Sequence, residues 1–412
     1  MLTARAWTLL GVGIALSASG ILLGYTDITR LGLLLLLLLG VTAVIARRAS
    51  GELRITRTVQ PTFIGRGQRA TVTVTAANPS DRRNGVSRVR EQVDPRLGES
   101  QEFVLPAIGP HDAEQLQYVV QGNVRGAHRL GPSSRVIEDP FGLTRRRSTD
   151  QHIDELIVLP TVTALGTAQP PGAGIGSEGE TPQMVALHGN EDVSIRAYHQ
   201  GDDLRKVHWK TTAHRGELMV RQEDRPSRRS ALVLLDARSA GHRGTAPQDS
   251  FEWAVSCAAS VVVRLAELHY SVHLATPETL ADLSVDTPGE PDDQLRRLAT
   301  AETCDGETFR RLRLRAREAV RTGAIVVAIL TDVEDRVDDI AAMRQPGASG
   351  LAFILDTATF VDPDAAPSAG AAMLRAALAG AGWRVCVVRS HTTVLDAWQE
   401  VSRRSLIRVG AL

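Results

Sequence analysis

Two long apolar runs at the amino terminus constrain this chain more than any other feature. "WTLLGVGIALSASGILLGY" (residues 7–25) carries no charge, and about 19 such residues suffice to cross the ~30 Å hydrocarbon layer of a bilayer as a helix. "TDITR" interrupts, and "LGLLLLLLLGVTAVIA" (31–46) follows. Counted from Ile28 the second run is as long as the first, with Arg30 near its start placed to snorkel. A cleaved signal peptide predicts one apolar run, a small-residue cleavage site and a polar mature start. A second run of equal length directly behind the first favours a transmembrane helical hairpin over residues 1–48.

Orientation follows from the flanking cations. Arg5 precedes the first run, Arg47, Arg48, Arg54 and Arg57 follow the second, and Arg30 in the connector is offset by Asp27. The positive-inside rule then places both ends, and the body behind them, in the cytoplasm. The three cysteines (Cys257, Cys304, Cys386) are too few and too widely spaced for a disulfide framework or a metal-ligand motif, which fits a reducing compartment. Among 412 residues the acidic and basic side chains balance at zero and aromatics make up only 4%. Neither a global positive field nor a set of stacking platforms favours nucleic acid.

Behind the hairpin, residues 49–160 alternate with period two. "ELRITRTVQ", "RATVTVTAANP", "GVSRVREQV", "QEFVLPAI" and "EQLQYVVQG" read as short strands, with "NPSDRRNG" and "VDPRLGES" as turns between them. Strands at this spacing predict a β-sandwich domain. "EDPFG" has the layout of a type I turn, with Asp139 first, Pro140 second and Gly142 fourth. Residues 161–230 begin with "ALGTAQPPGAGIGSEGETPQ", a Gly- and Pro-rich linker; it lacks the Gly-Lys-Ser/Thr of a phosphate cradle.

From residue 231 to 412 the pattern changes. "ALVLLD", "SVHLAT", "AIVVAILTD", "LAFILD" and "WRVCVVRS" are continuous apolar runs, expected of strands buried on both faces. Helical patterns separate them: "SFEWAVSCAASVVVRLAELH", "ETFRRLRLRAREAVR", "SAGAAMLRAALAGAG" and "TVLDAWQEVSRRS". The alternation predicts an α/β doubly wound, mainly parallel sheet. Three of its strands finish in aspartate: Asp236, Asp332 and Asp356. Ligands of such sheets sit beyond the carboxyl ends of the strands, and hard oxygen donors there suit Mg²⁺ or Mn²⁺. An Asp after a strand also caps helices and forms turns.

These residues carry two resemblances. "DARSA" and, two strands on, "LTD" resemble a degenerate von Willebrand factor A domain, whose metal-ion-dependent adhesion site opens on Asp-x-Ser-x-Ser. Asp236 keeps its place, but Arg238 and Ala240 stand where the serine ligands belong, and Ser239 is one position out of register. Only Asp236, and Asp332 with Thr331, carry over; Asp236, Ser239 and Asp332 are vestigial candidates, and the resemblance implies a site without a bound metal. "DVSIRAYHQGDDLRKVHWKTTAHRGELMV" closely resembles the signature of the domain-of-unknown-function-58 family. Arg196, Tyr198, Gly201, Asp202, Arg205, Val207, Trp209 and Ala213 match its pattern, with His214 where an arginine is common. "VRGAHRLGP", "DPFGL" and "LIVLP" resemble the approach to it. The resemblance implies a bacterial inner-membrane protein with a von Willebrand A-like carboxyl half and no established enzymatic activity. It also implies a MoxR-type AAA+ ATPase as partner, and a transglutaminase-like membrane protein beside it, in envelope assembly.

The signature holds both lysines of the chain, Lys206 and Lys210. Gly201 before Asp202 looks like a helix entry, "DLRKVHWKTTAH" like a short helix with Arg205 and Trp209 as an i, i+4 pair, and "GELMVRQED" like a strand. Ser194 has no base partner, and His199, His208 and His214 lack the i, i+4 spacing of a zinc helix. Arg196, Asp202 and Arg205 suit ion pairs that lock the segment. With Tyr198, Gly201, Trp209, Lys210 and Ala213 they equally suit a partner surface, since Arg, Tyr and Trp dominate interface hot spots. The arginines at 145–147 and 225–229 are local basic clusters, and the arginine-rich amphipathic helix at 310–321 is a solvated face or a contact with anionic lipid. The expectation is a non-enzymatic interaction protein without cofactor. Its rival is a hydrolase using Mg²⁺ or Mn²⁺ on Asp236, Asp332 and Asp356.

Overall fold

The computed structural model describes residues 2–49, 53–139, 141–171, 193–197, 207, 209–223, 229–281, 289–320, 323–333 and 336–403. The chain forms two compact units, Met1–Thr161 with Leu295–Ala301, and Val162–Gln294 with Glu302–Leu412.

The first unit opens with two apolar helices, α1 (Ala4–Leu23) and α2 (Thr26–Ala49). Each is long and apolar enough to be a candidate membrane span. Thr3 caps α1 by accepting from the Ala6 N–H. Gly24 ends it in the left-handed region (φ 74°), where glycine carries no Cβ penalty. Small residues let the pair close: a Cβ on Gly20 would run into Thr29, and one on Gly32 into Ser17. The outward faces keep their leucines exposed, Leu22 and Leu37 among them.

Nine strands follow. β1 (Arg54–Gln60), β3 (Arg69–Ala77) and β6 (Ala113–Gln121) make an antiparallel sheet in the order β1-β3-β6. β2 (Phe63–Gly65), β9 (Asp154–Leu159), β7 (Gly126–Glu138), β4 (Ser87–Val93) and β5 (Gln101–Leu105) lie in that order in a second sheet, and β8 (Arg145–Asp150) pairs with β7. In β3 alternation sends Ala70, Val72, Val74 and Ala76 inward. One core joins Val72, Val74, Tyr118 and Val120 of the first sheet to Ile64, Val93, Leu130, Leu156 and Val158 of the second. The five strands read from alternation are present. β7 escaped that reading because Gly131 and Pro132 interrupt it. They sit in a bulge, where the register jumps from Glu91↔Ser133 to Val93↔Leu130.

In the second unit β12 (Ser230–Leu235), β13 (Ser271–Ala275), β14 (Ile325–Thr331), β15 (Gly350–Leu355) and β16 (Arg384–Val388) pair in parallel, in the order β13-β12-β14-β15-β16. Numbered along the chain that is 2-1-3-4-5, an order found in doubly wound sheets. Every residue of β12, β14 and β15 is buried, as continuous apolar runs require. The four expected helices are α4 (Ser250–Glu267), α6 (Gly306–Ala319), α8 (Ala369–Gly380) and α9 (Val394–Ser402). Two polar segments add α5 (Pro291–Ala299) and α7 (Val337–Ala341). The signature contributes β10 (Val193–Ala197) and β11 (Met219–Glu223), an antiparallel pair, with α3 (Trp209–Arg215) between them. The expected helix from Asp202 is therefore shorter among the described residues: Val207 is bridged as in a strand and buried, so the helical turn starts beyond it.

Candidate functional site

The end of β12 is where the parallel order reverses, so the carboxyl ends of β12 and β14 diverge and leave room for side chains. Asp236 follows Leu235 there and is completely buried. Its N–H donates to the Ile329 carbonyl at 2.9 Å, one last rung of the β12–β14 ladder, and the chain then turns. The Arg238 N–H returns to Asp236 Oδ1 at 3.1 Å. The same side chain closes a two-toothed pair, Nε to Oδ1 at 3.0 Å and Nη2 to Oδ2 at 2.7 Å. Thr331, the last residue of β14, donates to Oδ2 from Oγ1 at 2.8 Å and from its N–H at 3.2 Å. Five donors on one carboxylate fill its acceptor positions.

The arginine is held from behind as well. Its guanidinium carbon lies 4.7 Å from the centroid of the Phe309 ring, a cation–π contact in a partly desolvated setting. Arg238 and Cys304 form an isolated parallel bridge, and the N–H of Ser239 donates to the Cys304 carbonyl at 2.9 Å. Gly241 permits the return of the loop, because a Cβ there would stand 2.5 Å from Thr331 Oγ1. His242 donates from Nε2 to the Asp236 carbonyl at 2.8 Å, which leaves Nδ1 to accept from the Ser250 hydroxyl at 3.0 Å. These are the complementary roles that the two nitrogens take in a neutral ring.

The electrostatics agree with this geometry. Burial pushes the Asp236 carboxyl up, but the Arg238 hydrogen bonds and charge outweigh it and hold the group below the usual carboxylate range. Burial also pulls His242 below its ordinary value, against the pull of Asp236. Beside this cluster, burial raises the Cys304 thiol to about 11, so it stays protonated.

These residues do not fit a divalent ion. A cation at Asp236 would need the oxygens that the guanidinium covers, and would meet its positive charge at contact distance. Ser239 is exposed and reaches the loop only through its backbone. Asp332 accepts from Thr357 Oγ1 at 2.7 Å. Asp356 is almost wholly buried and accepts the N–H of Ser368, the residue that caps α8, at 3.2 Å. Asp236, Asp332 and Asp356 share strand ends, but each is held by different partners. Among the described residues no group of three or more His, Cys, Asp or Glu is arranged to hold a metal.

Of the signature residues, Arg196 lies in β10, opposite Val220. Trp209 opens α3 with 68% of its surface exposed, Lys210 follows it, and Ala213 is exposed on the same short helix. The indole therefore lies on the surface and not in the core. Tyr198, Gly201, Asp202 and Arg205, with the ion pairs and the Arg205–Trp209 stack expected of them, lie outside the described residues, as do His199 and His208.

Sequence reasoning missed a second buried pair. Arg57 of β1 and Glu91 of β4 have no exposed side-chain surface, and Arg57 Nε lies 2.5 Å from Glu91 Oε1. Arg57 Nη2 donates to Ser133 Oγ at 2.6 Å, and Nη1 to the His152 carbonyl at 3.0 Å and Asp154 Oδ2 at 3.2 Å; the Ser133 hydroxyl donates to Glu91 Oε2. Burial opposes the charge on Arg57, but Glu91 and Asp154 overcome it and raise the group above its ordinary value. A Cβ on Gly131 would lie 2.8 Å from Arg57 Nη2, so the glycine in the β7 bulge makes the room. The signal was present: both charges occupy inward slots of alternating strands, Arg57 between Ile55 and Val59, and Glu91 between Val89 and Val93.

Two apolar helices, two strand sheets sharing a core and a parallel α/β unit with an arginine-sealed strand end define a multi-domain protein with candidate membrane spans. Residues 194–280 match the family described as "Protein of unknown function DUF58". That match covers the segment in which the sequence signature was read and supports the resemblance. No curated protein matches it. Among solved structures, the CARDB domain of the PF1109 protein from Pyrococcus furiosus is 14% identical over 26% of this chain and 92% of its own, with a TM-score of 0.20. Alkylpurine DNA glycosylase AlkC from Pseudomonas fluorescens is 15% identical over 26% and 30%, with a TM-score of 0.18. The sporulation control protein Spo0M from Bacillus subtilis is 9% identical over 26% and 49%, with a TM-score of 0.16. Likenesses this slight carry no argument about fold or function.

Proposed function

We propose that this chain is a membrane-anchored, non-enzymatic interaction protein, a partner or adaptor of a MoxR-type AAA+ ATPase in envelope processes. In this reading the two apolar helices form a hairpin in the plasma membrane, with the body in the cytoplasm. The two strand sheets are a β-sandwich, and the parallel unit is a von Willebrand A-like domain that has exchanged its metal for an arginine. The observation that carries the reading is the two-toothed Arg238–Asp236 pair, which occupies the carboxylate a metal would need. A domain of this kind without its metal retains a rigid, fully satisfied strand end on which a partner can dock, and it loses the Lewis acid that hydrolysis needs. The exposed Trp209 supports a partner surface in the signature.

Two experiments test it. Affinity capture of the full chain from detergent-solubilised membranes, with and without ATP, should recover a MoxR-type ATPase and lose it in Trp209→Ala. Recovery of no such ATPase in either state counts against the adaptor reading. Calorimetry with Mg²⁺ and Mn²⁺ should give no specific heat for the native chain. The double substitution Arg238→Ser, Ala240→Ser restores Asp-x-Ser-x-Ser and should gain measurable binding. Specific binding to the native chain that Asp236→Ala abolishes would favour metal-dependent chemistry.

A further inference from the structure

The base of the helix pair is tied to the strand unit at one corner. The Thr3 N–H donates to the Leu143 carbonyl at 2.9 Å, its hydroxyl donates to the Gly142 carbonyl at 2.7 Å, and Leu2 bridges Thr144. Ala6, Leu39 and Leu143 bury one another beside it. The tie depends on the turn at 139–144. There Asp139 accepts the Phe141 N–H at 2.9 Å and the Thr144 hydroxyl at 2.8 Å, and the Gly142 N–H returns to the Asp139 carbonyl at 2.9 Å. Phe141 projects from the turn with 57% of its surface exposed, an aromatic ring at the level where a span would leave the bilayer.

From this corner the chain runs straight into a polar cleft. β8 begins at Arg145, and Arg146 lies three residues beyond Leu143, about 10 Å along a strand. On the other side Leu53 and Arg54 follow the end of α2 at Ala49 within a few residues. The cleft has a volume of 770 Å³ and opens where β1, β7 and β8 come together; Arg54, Arg135, Arg146, Ser133, Ser148 and Thr149 line it. Asp150 is the one carboxylate among its lining residues.

Its electrostatics are cationic. Arg135 is 5% exposed and donates from Nε to Ser87 Oγ at 3.0 Å. Burial first, and the Arg146 charge beside it, together lower its basicity to about 10. An anion placed between neighbouring guanidiniums stabilises both, and guanidinium forks match phosphate oxygens. The headgroup layer on each side of a bilayer is roughly 5–8 Å deep. A cleft wall starting about 10 Å from the span's exit, carrying side chains that reach back, therefore meets lipid phosphates.

We propose that this cleft binds a phosphate group between Arg54, Arg135 and Arg146, supplied by the headgroup of an anionic phospholipid. The inference rests on the membrane-anchored reading for the source of the phosphate; the chemistry of the site does not. Binding here would orient the strand unit on the bilayer, complementing the tie at Thr3 and Leu143.

The test uses the full chain in a neutral detergent. Short-chain phosphatidylglycerol, short-chain phosphatidylcholine and inorganic phosphate are titrated separately by calorimetry, against the native chain and against Arg54→Gln/Arg146→Gln. Both substituted arginines are exposed, so folding is preserved and can be checked by the melting temperature. The expected result is saturable binding of phosphatidylglycerol over phosphatidylcholine, weakened at least tenfold in the variant. Inorganic phosphate binding equally well, with the same loss, supports the phosphate site and assigns it a free ligand. The proposal is overturned if neither anion binds, or if both bind the variant as tightly as the native chain. Alkaline carbonate extraction of membranes is run alongside: release of the chain would break the anchoring reading while leaving the titration to judge the cleft.

Discussion

Two buried arginine–carboxylate pairs among the described residues are built on opposite plans. In the parallel unit Arg238 reaches Asp236 two residues away, on the loop leaving one strand. In the strand unit Arg57 gathers Glu91, Ser133, the His152 carbonyl and Asp154 from three further segments of chain. The first pair is local, backed by an aromatic ring and still 12% exposed on the arginine side. The second links the two sheets and has no exposed surface on either partner. A short loop orders its pair at small entropic cost, whereas the long-range cluster must be assembled by the fold that it then fastens. The local pair therefore determines what a strand end can bind, and the long-range pair determines whether two sheets stay in register.

That contrast breaks first at Arg57. Arg57→Ala leaves Glu91 buried without its cation and should cost about 3–5 kcal/mol in urea unfolding of the full chain in detergent. Replacing both partners, Arg57→Met with Glu91→Leu, should recover most of that loss, because the desolvation penalty leaves with the charges. If the double substitution is as unstable as the single one, the cluster holds the sheets by more than charge compensation.

Arg238→Ala should cost less, about 2 kcal/mol, since Thr331 continues to donate twice to Asp236. Its melting transition should shift in the second unit alone. A loss equal to that at Arg57 would remove the distinction between the two plans.

The smallest effect concerns pH. His242 is held below its ordinary value in the fold, so below about pH 6.5 the unfolded chain takes up a proton that the native ring refuses. Stability of the second unit should fall as the pH drops from that point, and His242→Asn should flatten the slope between pH 7 and 5. Asp236 has the usual acid dependence: its depressed value adds stability above about pH 4, which is lost as the pH falls further toward its folded value. An unchanged slope in His242→Asn would assign the dependence elsewhere.

The elements differed in how plainly the sequence announced them. Continuous apolar runs such as "ALVLLD" and "AIVVAILTD" have few outcomes other than buried parallel strands, and both are in place at β12 and β14. β7 was hidden because a Gly-Pro pair reads as a turn, and only its bulged neighbours make it a strand. Asp236 and Arg238 could be singled out because their spacing departs from a known pattern. Which way the arginine turned could not be read, because that depends on Thr331 and Phe309, about 95 and 70 positions further along the chain. The cleft at Arg54, Arg135 and Arg146 was out of reach for the same reason: its cations come from three strands that no local pattern joins.

By itself, then, the sequence determined the two candidate spans, the alternating strands behind them and the parallel order of buried strands. Each follows from hydrophobic periodicity within one short stretch, where apolar side chains must leave water whatever else surrounds them. Only the tertiary structure decided which buried charges meet, that Arg238 closes on Asp236 and that Arg57 closes on Glu91. A buried charge is tolerated only beside its partner, and which groups become neighbours is a property of the assembled fold.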